Sequence, residues 1–418
     1  MVGEESLKNM SVRIDRIRED ILQLASIGRS ETDHGIYRMA FTQADMEARD
    51  WLEKKMQGAG LTTRRDGAAN VCGELKAESG APRVIVGSHI DTVPCAGTLD
   101  GTVGVIAGLE CLRVVREAGL PVERTLELIA FTDEEGRFGG MLGSQSLCGL
   151  TTPDTVYHAA DLDGNKLHDV MVGLGLEPMR ILEARREPES IDAYLELHIE
   201  QGPVLDHYRK QVGIVDEITG LTKWVIRLKG TANQAGTTPM EMRNDAFMGL
   251  ADFAHEISRI LEENGSDRSR ATIGRVQILP GAPNTVPGLV EFSLDLRDTN
   301  EAVLEELGDA IRRTLSAISR RKNLMFEFEV QSRIQPVACA KRLTTALESN
   351  ARQLGLEHLV MPSGAAHDAQ IVARIAPVAM IFVPSKDCKS HSPAEWTAWS
   401  DIEAGANLLL HTLIQLAS

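Results

Sequence analysis

Residues 124–140, RTLELIAFTDEEGRFGG, pass from an apolar run into three consecutive carboxylates and then into a glycine-rich exit. The run RTLELIAF is typical of a buried β-strand, and Asp133, Glu134 and Glu135 follow where that strand would end. Adjacent like charges repel each other, so this stretch requires a source of positive charge nearby. In open α/β sheets, ligand sites lie beyond the carboxyl ends of the strands, which is where these acids would stand.

Strand-like and helical segments alternate on both sides of this stretch. The runs RVIVGSHID (83–91), DAYLELHIEQG (192–202) and PVAMIFVPS (377–385) are typical of buried strands, and residues 101–119 have the apolar pattern of a helix. Near-continuous apolar strands that alternate with helices predict an α/β fold with a mainly parallel central sheet.

The pattern changes between residues 217 and 330. Strand-like runs at 222–230, 271–279, 289–298 and 324–330 and helical runs at 243–264 and 301–320 follow in the order β-α-β-β-α-β. That order is typical of a ferredoxin-like α+β unit. We therefore predict one discontinuous catalytic, metal-binding domain, formed by residues 1–216 and 331–418, with a smaller domain of residues 217–330 inserted into it.

Composition limits the classes of function. The chain has 418 residues, 43% of them hydrophobic, which is enough for two domains, and its net charge is −16. Such a negative surface argues against nucleic-acid and membrane partners. The polar N-terminal stretch and six scattered cysteines favour a cytoplasmic protein with reduced thiols.

Polar residues at or near the predicted strand ends form the candidate site. They are His89, Asp91, Asp100, Glu134, Glu135, His198, Glu200, Gln201 and His391. Three histidines and several carboxylates at one sheet edge need a counter-charge, and mixed His/Asp/Glu ligands suit Zn²⁺, Mn²⁺ or Co²⁺. Two cations that share a carboxylate such as Asp100 could use this many ligands and activate a water between them.

The acids of residues 133–135 then acquire distinct roles. Glu135 would be a metal ligand, and Glu134 would act as the general base and pass the proton to the leaving nitrogen. Asp91 would accept the second ring N–H of His89. Each feature alone has an ordinary explanation, such as a solvated Glu-Glu pair, a turn at Asp100 or a loop histidine at residue 391.

Together, these motifs resemble those of the metal-dependent amidohydrolases of the hydantoinase/carbamoylase type, within the aminoacylase-like and di-zinc exopeptidase superfamily. That group includes N-carbamoyl-L-amino acid hydrolases, allantoate amidohydrolases and β-ureidopropionases. The matching stretches span residues 87–397 and are GSHIDTV, LDGTVGVIAGLE, FTDEEGRF, LGSQ, ELHIEQGPVL, AGTTPM, PNTVPG, LDLRD, SGAAHDAQ, IFVPS and SHSPAEWT.

The resemblance implies a role for each matching position. One metal would be held by His89, Asp100 and His198, and the other by Asp100, Glu135 and His391, with Glu134 as the acid/base. The resemblance also implies a homodimer formed through the inserted domain, which serves as a lid. Implied substrate-binding positions are Gln201, Asn284, Arg297, Gly364 and Ala365. Arg297 also suits a carboxylate by its guanidinium geometry, although a surface ion pair explains that residue equally well.

Two positions depart from the family pattern. Gln234, in NQAGTTPM, stands where the family has a histidine that polarises the scissile carbonyl; a glutamine amide donates a hydrogen bond but carries no charge. The stretch EEGRF is one residue shorter than the common EEGSRF form. The first departure leaves open a homologue that binds metal and ligand with weak or no catalysis.

The leading predicted reaction is hydrolysis of an N-carbamoyl-L-amino acid to the amino acid, CO₂ and ammonia. Allantoate, ureidoglycolate and β-ureidopropionate are the alternative substrates. Leu221 and the GAAHD stretch favour the carbamoylase over the allantoate enzyme. A cysteine-nucleophile amidase using Cys95 or Cys388 is disfavoured because no supporting base is evident in the sequence.

Overall fold

The chain folds into two compact units, in a computed structural model that describes residues 10–418. One unit is formed by the chain up to Asp216 together with Cys339–Ser418, and the other by Glu217–Ala338. The return to the first unit comes later than residue 331 because the strand predicted to end at Val330 continues to Ile334. Within residues 10–418, no helix combines the length and apolarity that crossing a bilayer requires.

A nine-stranded sheet lies mainly in the first unit, and only its strand Val337–Ala338 and the end of its strand Val212–Ile218 fall within the range Glu217–Ala338. Numbered in order along the whole chain, its strands are β1 Thr62–Arg65, β2 Val71–Leu75, β3 Ala81–His89, β4 Arg124–Phe131, β5 Ile191–Ile199, β6 Val212–Ile218, β14 Val337–Ala338, β15 His358–Ser363 and β16 Val378–Val383. The spatial order is β1-β2-β4-β3-β5-β16-β6-β14, and β15 pairs with β6. The four central strands β4, β3, β5 and β16 are parallel to their neighbours within this group. The predicted mainly parallel sheet is therefore confirmed, with antiparallel pairs at both sides.

Helices accompany this sheet. They are α1 Ile14–Ser26, α2 Gln43–Gly58, α3 Thr102–Glu117, α4 Leu142–Leu147, α5 Pro153–His158, α6 Leu167–Gly173, α7 Val204–Tyr208, α10 Lys341–Gln353, α11 Asp368–Val372 and α12 Trp399–Ala417. Helix α3 is buried along most of its length, and its apolar side chains share one core with those of α12, β3, β4 and β5. Helix α3 approaches β5 so closely that a Cβ atom on Gly104 would overlap the carbonyl oxygen of Leu197. This glycine therefore fixes the distance between the start of α3 and the end of β5.

The second unit is an antiparallel sheet with two helices. Its elements are β7 Gly220–Lys229, β8 Asn233–Gln234, α8 Ala246–Asn264, β9 Arg270–Thr272, β10 Val276–Leu279, β11 Thr285–Val286, β12 Leu289–Asp298, α9 Glu301–Arg321 and β13 Met325–Ile334. The order β10-β12-β7-β13 is the ferredoxin-like one. Alternate residues of β12 are buried in a core shared with α8 and α9. The strand predicted at 271–279 is broken into β9 and β10, and Gly274 lies in the break.

Candidate active site

Parallel packing brings four strand ends to one edge of the first unit. His89, the last residue of β3, lies in register with Phe131, the last residue of β4. On the other side of the group, His198 of β5 lies in register with Phe382 of β16. Because these strands are parallel, the segments that leave their carboxyl ends emerge together. The predicted site residues of the first unit lie at these strand ends or in the segments that follow them.

Four overlapping groups of possible metal ligands occur among the described residues, and two of these contain Asp100. His89, Asp100 and His198 form one group, and Asp100, Glu135 and His391 form the other; within each group the ligand atoms lie within 4.8 Å of one another. Asp100 belongs to both. One of its carboxylate oxygens, Oδ1, lies 3.2 Å from His198 Nε2, and the other, Oδ2, lies 3.1 Å from His391 Nε2. A carboxylate placed in this way can link two cation sites.

Backbone contacts determine which nitrogen of the buried histidines faces the cluster. The Nδ1 atom of His89 is 3.0 Å from the carbonyl oxygen of Asp91, and the Nδ1 atom of His198 is 2.9 Å from that of Ile199. A carbonyl oxygen only accepts, so Nδ1 carries the hydrogen in both rings and Nε2 presents its lone pair to the carboxylates. Both rings are thereby prepared to act as ligands through Nε2.

Asp91 acts differently from the sequence prediction. Its carboxylate lies 3.9 Å from His89 Nδ1, beyond hydrogen-bond distance, because the turn after β3 brings the backbone carbonyl closer. The two carboxylate oxygens accept the backbone N–H groups of Glu134 and Glu135 instead, at 3.4 and 3.2 Å. Asp91 thus fastens the tandem glutamates rather than the imidazole.

A sharp turn allows both glutamates to face the site. Strand β4 ends at Phe131, and Asp133 has the left-handed backbone angle φ = 57°. Glu134 Oε2 lies 3.6 Å from His89 Nε2, and Glu135 Oε2 lies 3.6 Å from His391 Nε2. Non-glycine residues with positive φ are uncommon, and Gln201 and His391 share this feature. Backbone strain of this kind is concentrated at functional sites.

The carboxyl groups lie in an unfavourable environment. Burial, with the charge of Glu135 in second place, raises the pKa of Glu134 well above its ordinary value. Burial and the neighbouring Asp100 do the same for the pKa of Glu135. The hydrogen bond to Asp100 is the largest cause that raises the pKa of His391 to about 9. In the absence of a cation, protonation therefore neutralises part of the negative charge of this cluster.

The residues present fit a divalent cation. Among the described residues, the buried Oε1 atom of Glu135 has no hydrogen-bond partner, although a buried carboxylate oxygen normally has one. Neutral imidazoles and carboxylates are the ligand set of Zn²⁺ and related ions. The Gln201 amide donates from Nε2 to both Asp100 oxygens, at 3.2 and 3.0 Å, and so helps to hold this carboxylate in place.

Of the other predicted positions in the first unit, Glu200 lies away from the cluster, whereas Gly364 and Ala365 lie near it. The Glu200 carboxylate accepts the N–H groups of Val204 and Leu205 at the start of α7. The turn at Gly364 and Ala365 leads into His367, whose ring packs edge-on against His198 with centroids 4.5 Å apart. Ser363 stabilises this turn by bonding to both backbone groups of Ala365.

Three predicted residues belong to the second unit. The side-chain oxygen of Gln234 accepts the N–H of Thr237 at 2.6 Å, which leaves the amide nitrogen as the donor end of this exposed side chain. Asn284 precedes β11, and its backbone carbonyl oxygen accepts the N–H of Ala235. Arg297 forms a two-point ion pair with Asp295, at 2.8 and 3.1 Å. A substrate carboxylate at Arg297 would therefore compete with Asp295.

The structure also shows site residues that the sequence analysis missed. Glu196, one strand repeat before His198, lies beneath it and accepts from Ser88, Tyr194 and the backbone of Ala369. His367 forms a further possible ligand group with Glu196 and His198. Residues two apart on a strand face the same side of the sheet, so the spacing of Glu196 and His198 is the sequence signal for Glu196. The stretch SGAAHDAQ contains His367, so a signal for this residue is also present in the sequence.

Comparisons with known proteins show which family the chain resembles. Residues 85–415 match the family model described as Peptidase family M20/M25/M40. An N-carbamoyl-L-amino acid amidohydrolase of Geobacillus stearothermophilus is 38% identical over 96% of this chain and 98% of its own. The allantoate amidohydrolase of Escherichia coli is 35% identical over 96% and 97%. A crystal structure of a hydantoinase/carbamoylase family amidase from Burkholderia multivorans has 32% identity and a TM-score of 0.91, with 98% of both chains covered.

Proposed function

The chain belongs to peptidase family M20/M25/M40 and, within it, to the hydantoinase/carbamoylase amidases, and from that membership we propose that it hydrolyses N-carbamoyl-L-amino acids. It is a hydrolase of carbon–nitrogen bonds other than peptide bonds. The products would be the amino acid, CO₂ and ammonia. The observation that carries this proposal is Asp100, which joins two groups of candidate ligands beside Glu134, whose Oε2 atom lies 3.6 Å from His89 Nε2.

Two divalent cations per subunit would bind at this edge, Zn²⁺ or alternatively Mn²⁺ or Co²⁺. His89, Asp100 and His198 would hold the first, and Asp100, Glu135 and His391 the second. Bound cations of this kind supply Lewis acidity toward a carbonyl and a water nucleophile at neutral pH. The Nδ1 contacts of His89 and His198 keep the ligand nitrogens of these rings oriented toward the cluster.

Glu134 would move the proton. Its carboxylate accepts a proton from water as the water oxygen adds to the ureido carbonyl carbon. It then donates that proton to the nitrogen of the amino acid as the C–N bond breaks, and the carbamic acid released decomposes to CO₂ and ammonia. Asp91 keeps this glutamate in place through the backbone.

Substrate recognition would use Gln201, the turn at Gly364 and Ala365, and three residues of the second unit. We propose that Asn284 and Arg297 bind the substrate carboxylate and that Gln234 donates to the developing oxyanion. The exposed Gln234 side chain and its fixed amide oxygen are consistent with a donor role. A cytoplasmic homodimer formed through the second unit, acting as a lid, completes the proposal.

Allantoate is the second candidate substrate. It carries the same ureido group and a carboxylate, and the Escherichia coli allantoate amidohydrolase is 35% identical to this chain.

The test is an assay of metal-stripped protein reconstituted with Mn²⁺ or Zn²⁺. N-carbamoyl-L-amino acids, allantoate, ureidoglycolate and N-carbamoyl-β-alanine are supplied in parallel, and ammonia release is measured. We expect the greatest kcat/KM on an N-carbamoyl-L-amino acid. Glu134→Gln should retain its metal, measured by elemental analysis, and lose activity by about 10²–10⁴-fold. A protein that remains active without metal and is stopped by iodoacetamide would contradict the proposal.

A further inference from the structure

Glu395 is a buried carboxylate that has no role in the proposed reaction. Its residue is 5% exposed, and it lies in the segment between β16 and α12, four residues after His391. Among the described residues, no basic side chain forms an ion pair with it. Removing an unpaired carboxylate from water is unfavourable in free energy, so the buried group requires several hydrogen bonds.

These hydrogen bonds all come from segments that carry candidate metal ligands. Glu395 Oε1 accepts the backbone N–H groups of Leu99 and Asp100, at 2.7 and 3.1 Å. Glu395 Oε2 accepts from the hydroxyl of Ser390 at 3.2 Å, and Ser390 directly precedes His391. The same hydroxyl lies 3.3 Å from Asp100 Oδ2. One side chain thus joins the start of α3 to the segment of His391.

The chain makes room for Glu395 at a specific glycine. A Cβ atom on Gly97 would overlap the Cβ and Oε1 atoms of Glu395. The glycine therefore permits the carboxylate to reach the N–H groups of Leu99 and Asp100.

The His391 segment needs such support. Asp387, Cys388 and His391 all have positive φ, between 52° and 59°. The His391 side chain is 48% exposed, whereas the histidines of the other ligand group are almost fully buried. Packing therefore contributes less to fixing His391 than to fixing His89 and His198.

We propose that Glu395 is the positioning residue of the second cation site, the one formed by Asp100, Glu135 and His391. It holds Asp100 and the His391 segment at their mutual distance and leaves the first group, with its two buried imidazoles, largely self-supporting. This inference rests on the proposed two-cation function. Partners of this kind, which orient ligands without touching the metal, typically change metal affinity by about 10–100-fold.

The test is calorimetric titration of metal-stripped protein with Co²⁺, together with the visible absorption of each bound equivalent. In Glu395→Ala we expect about 10–100-fold weaker binding of the second Co²⁺ and an unchanged first equivalent. Gly97→Ala keeps the carboxylate but displaces it, so the same equivalent should weaken. Glu395→Gln retains an oxygen for both N–H groups and a donor toward Ser390, and should stay within about threefold of the unmodified protein.

Asp298→Asn is the matched control. Asp298 is also a buried carboxylate that accepts from serine hydroxyls and a backbone N–H, but it lies in the second unit. Its variant should bind both equivalents normally. Equal weakening of both equivalents in Glu395→Ala, or none, would overturn the inference. If the unmodified protein bound fewer than two Co²⁺ ions, the proposed two-cation centre itself would fail, which is a distinguishable result.

Discussion

Asp100 is the residue on which the candidate site depends most. It contacts His198 and His391 through different oxygens and also receives the amide of Gln201. Burial opposes ionisation of Asp100, but the hydrogen bond from His391 holds its pKa below the ordinary range. It therefore stays ionised while Glu134 and Glu135 tend toward protonation. A permanently charged carboxylate at the centre is suited to bind cations.

Gln234 offers a test at the scale of one side chain. We expect Gln234→His to raise kcat on the preferred ureido substrate about tenfold, because a charged donor forms a stronger hydrogen bond to an oxyanion than a neutral amide. Steady-state kinetics of both proteins, loaded with the same metal, measure the change. Gln234→Ala is the comparison and should lower kcat. If the histidine variant gains nothing on any substrate, the proposed role of this position is wrong.

Individual residues also show how far sequence reasoning reached. The predicted ligand residues come together because each lies at or after a strand end, a property that the apolar pattern reveals. The contacts of Asp91 and Glu395 were not predictable in this way. Both depend on the path of turns, and turn geometry is set by φ angles such as that of Asp133 rather than by periodicity.

At the scale of elements, two buried arginines lie behind the acidic edge. Arg38 donates to the carbonyl oxygens of Ile90, Leu24 and Ile27. Arg49 donates to those of Ala69, Ala130 and Phe131 and pairs with the buried Asp45. The carbonyls of Ile90, Ala130 and Phe131 belong to the ends of β3 and β4 or directly follow them. The two guanidinium groups thus satisfy strand ends and supply positive charge beneath the carboxylates.

Arg49→Met tests that arrangement. We expect a loss of about 3–5 kcal/mol in the free energy of unfolding, because Asp45 becomes an unpaired buried carboxylate. Arg259→Met, which removes exposed pairs on α8, should cost at most about 1 kcal/mol. Urea unfolding of both variants gives the comparison. Equal losses would contradict the distinction between buried and exposed pairs.

Helix α3 provides a second test at this scale. Gly104→Ala should move the start of α3 away from β5, because the added methyl group overlaps the backbone of Leu197. We expect about 1–3 kcal/mol of destabilisation and weaker Co²⁺ binding, since Asp100 and His198 separate.

Gly108→Ala on the same helix is the control for that change. Its methyl group would meet mainly side-chain atoms of Leu128 and Val86, which can adjust more easily than backbone. Calorimetric Co²⁺ titration and urea unfolding of both variants test the prediction. Equal metal affinities would show that the spacing of α3 and β5 does not govern the site.

At the scale of the whole molecule, the first unit carries an excess of buried acid. Burial, with Asp91 as the next cause, raises the pKa of Asp133 to about 8, and the pKa values of Glu134 and Glu135 are raised as well. A carboxyl group with a raised pKa binds more protons in the folded state than in the unfolded state. Its contribution to folding stability therefore decreases as the pH rises from its ordinary pKa toward its folded pKa.

We accordingly expect the Tm of the chelator-treated protein to fall between pH 5 and pH 8, a range within the titration window of Asp133, about 3.8 to 8. Added Mn²⁺ should reduce that fall by balancing the carboxylates. Thermal unfolding at each pH, with and without Mn²⁺, measures both effects. A Tm that rises with pH in the absence of metal would contradict this description of the cluster.

The division into an α/β unit and an inserted ferredoxin-like unit follows from patterns that the sequence displays clearly. The alternation in β12 and the continuous apolar runs of β3 and β16 distinguish a one-sided sheet from a fully buried one. The antiparallel additions β1, β2 and β6 were less evident because they are short or only partly buried. Their pairing depends on neighbours that are distant along the chain.

The spread of the ligand residues along the chain has a consequence in time. About 300 residues separate His89 from His391, and a ribosome adds roughly 5–20 residues per second. Roughly 15–60 s therefore pass between the synthesis of the first imidazole and that of the last. During this interval the nascent polypeptide already carries the tandem glutamates but lacks the histidine that completes their ligand group. Complete loading of the proposed two-cation site must therefore wait until His391 has been synthesised, and a chain truncated before that residue would lack one of the proposed ligands.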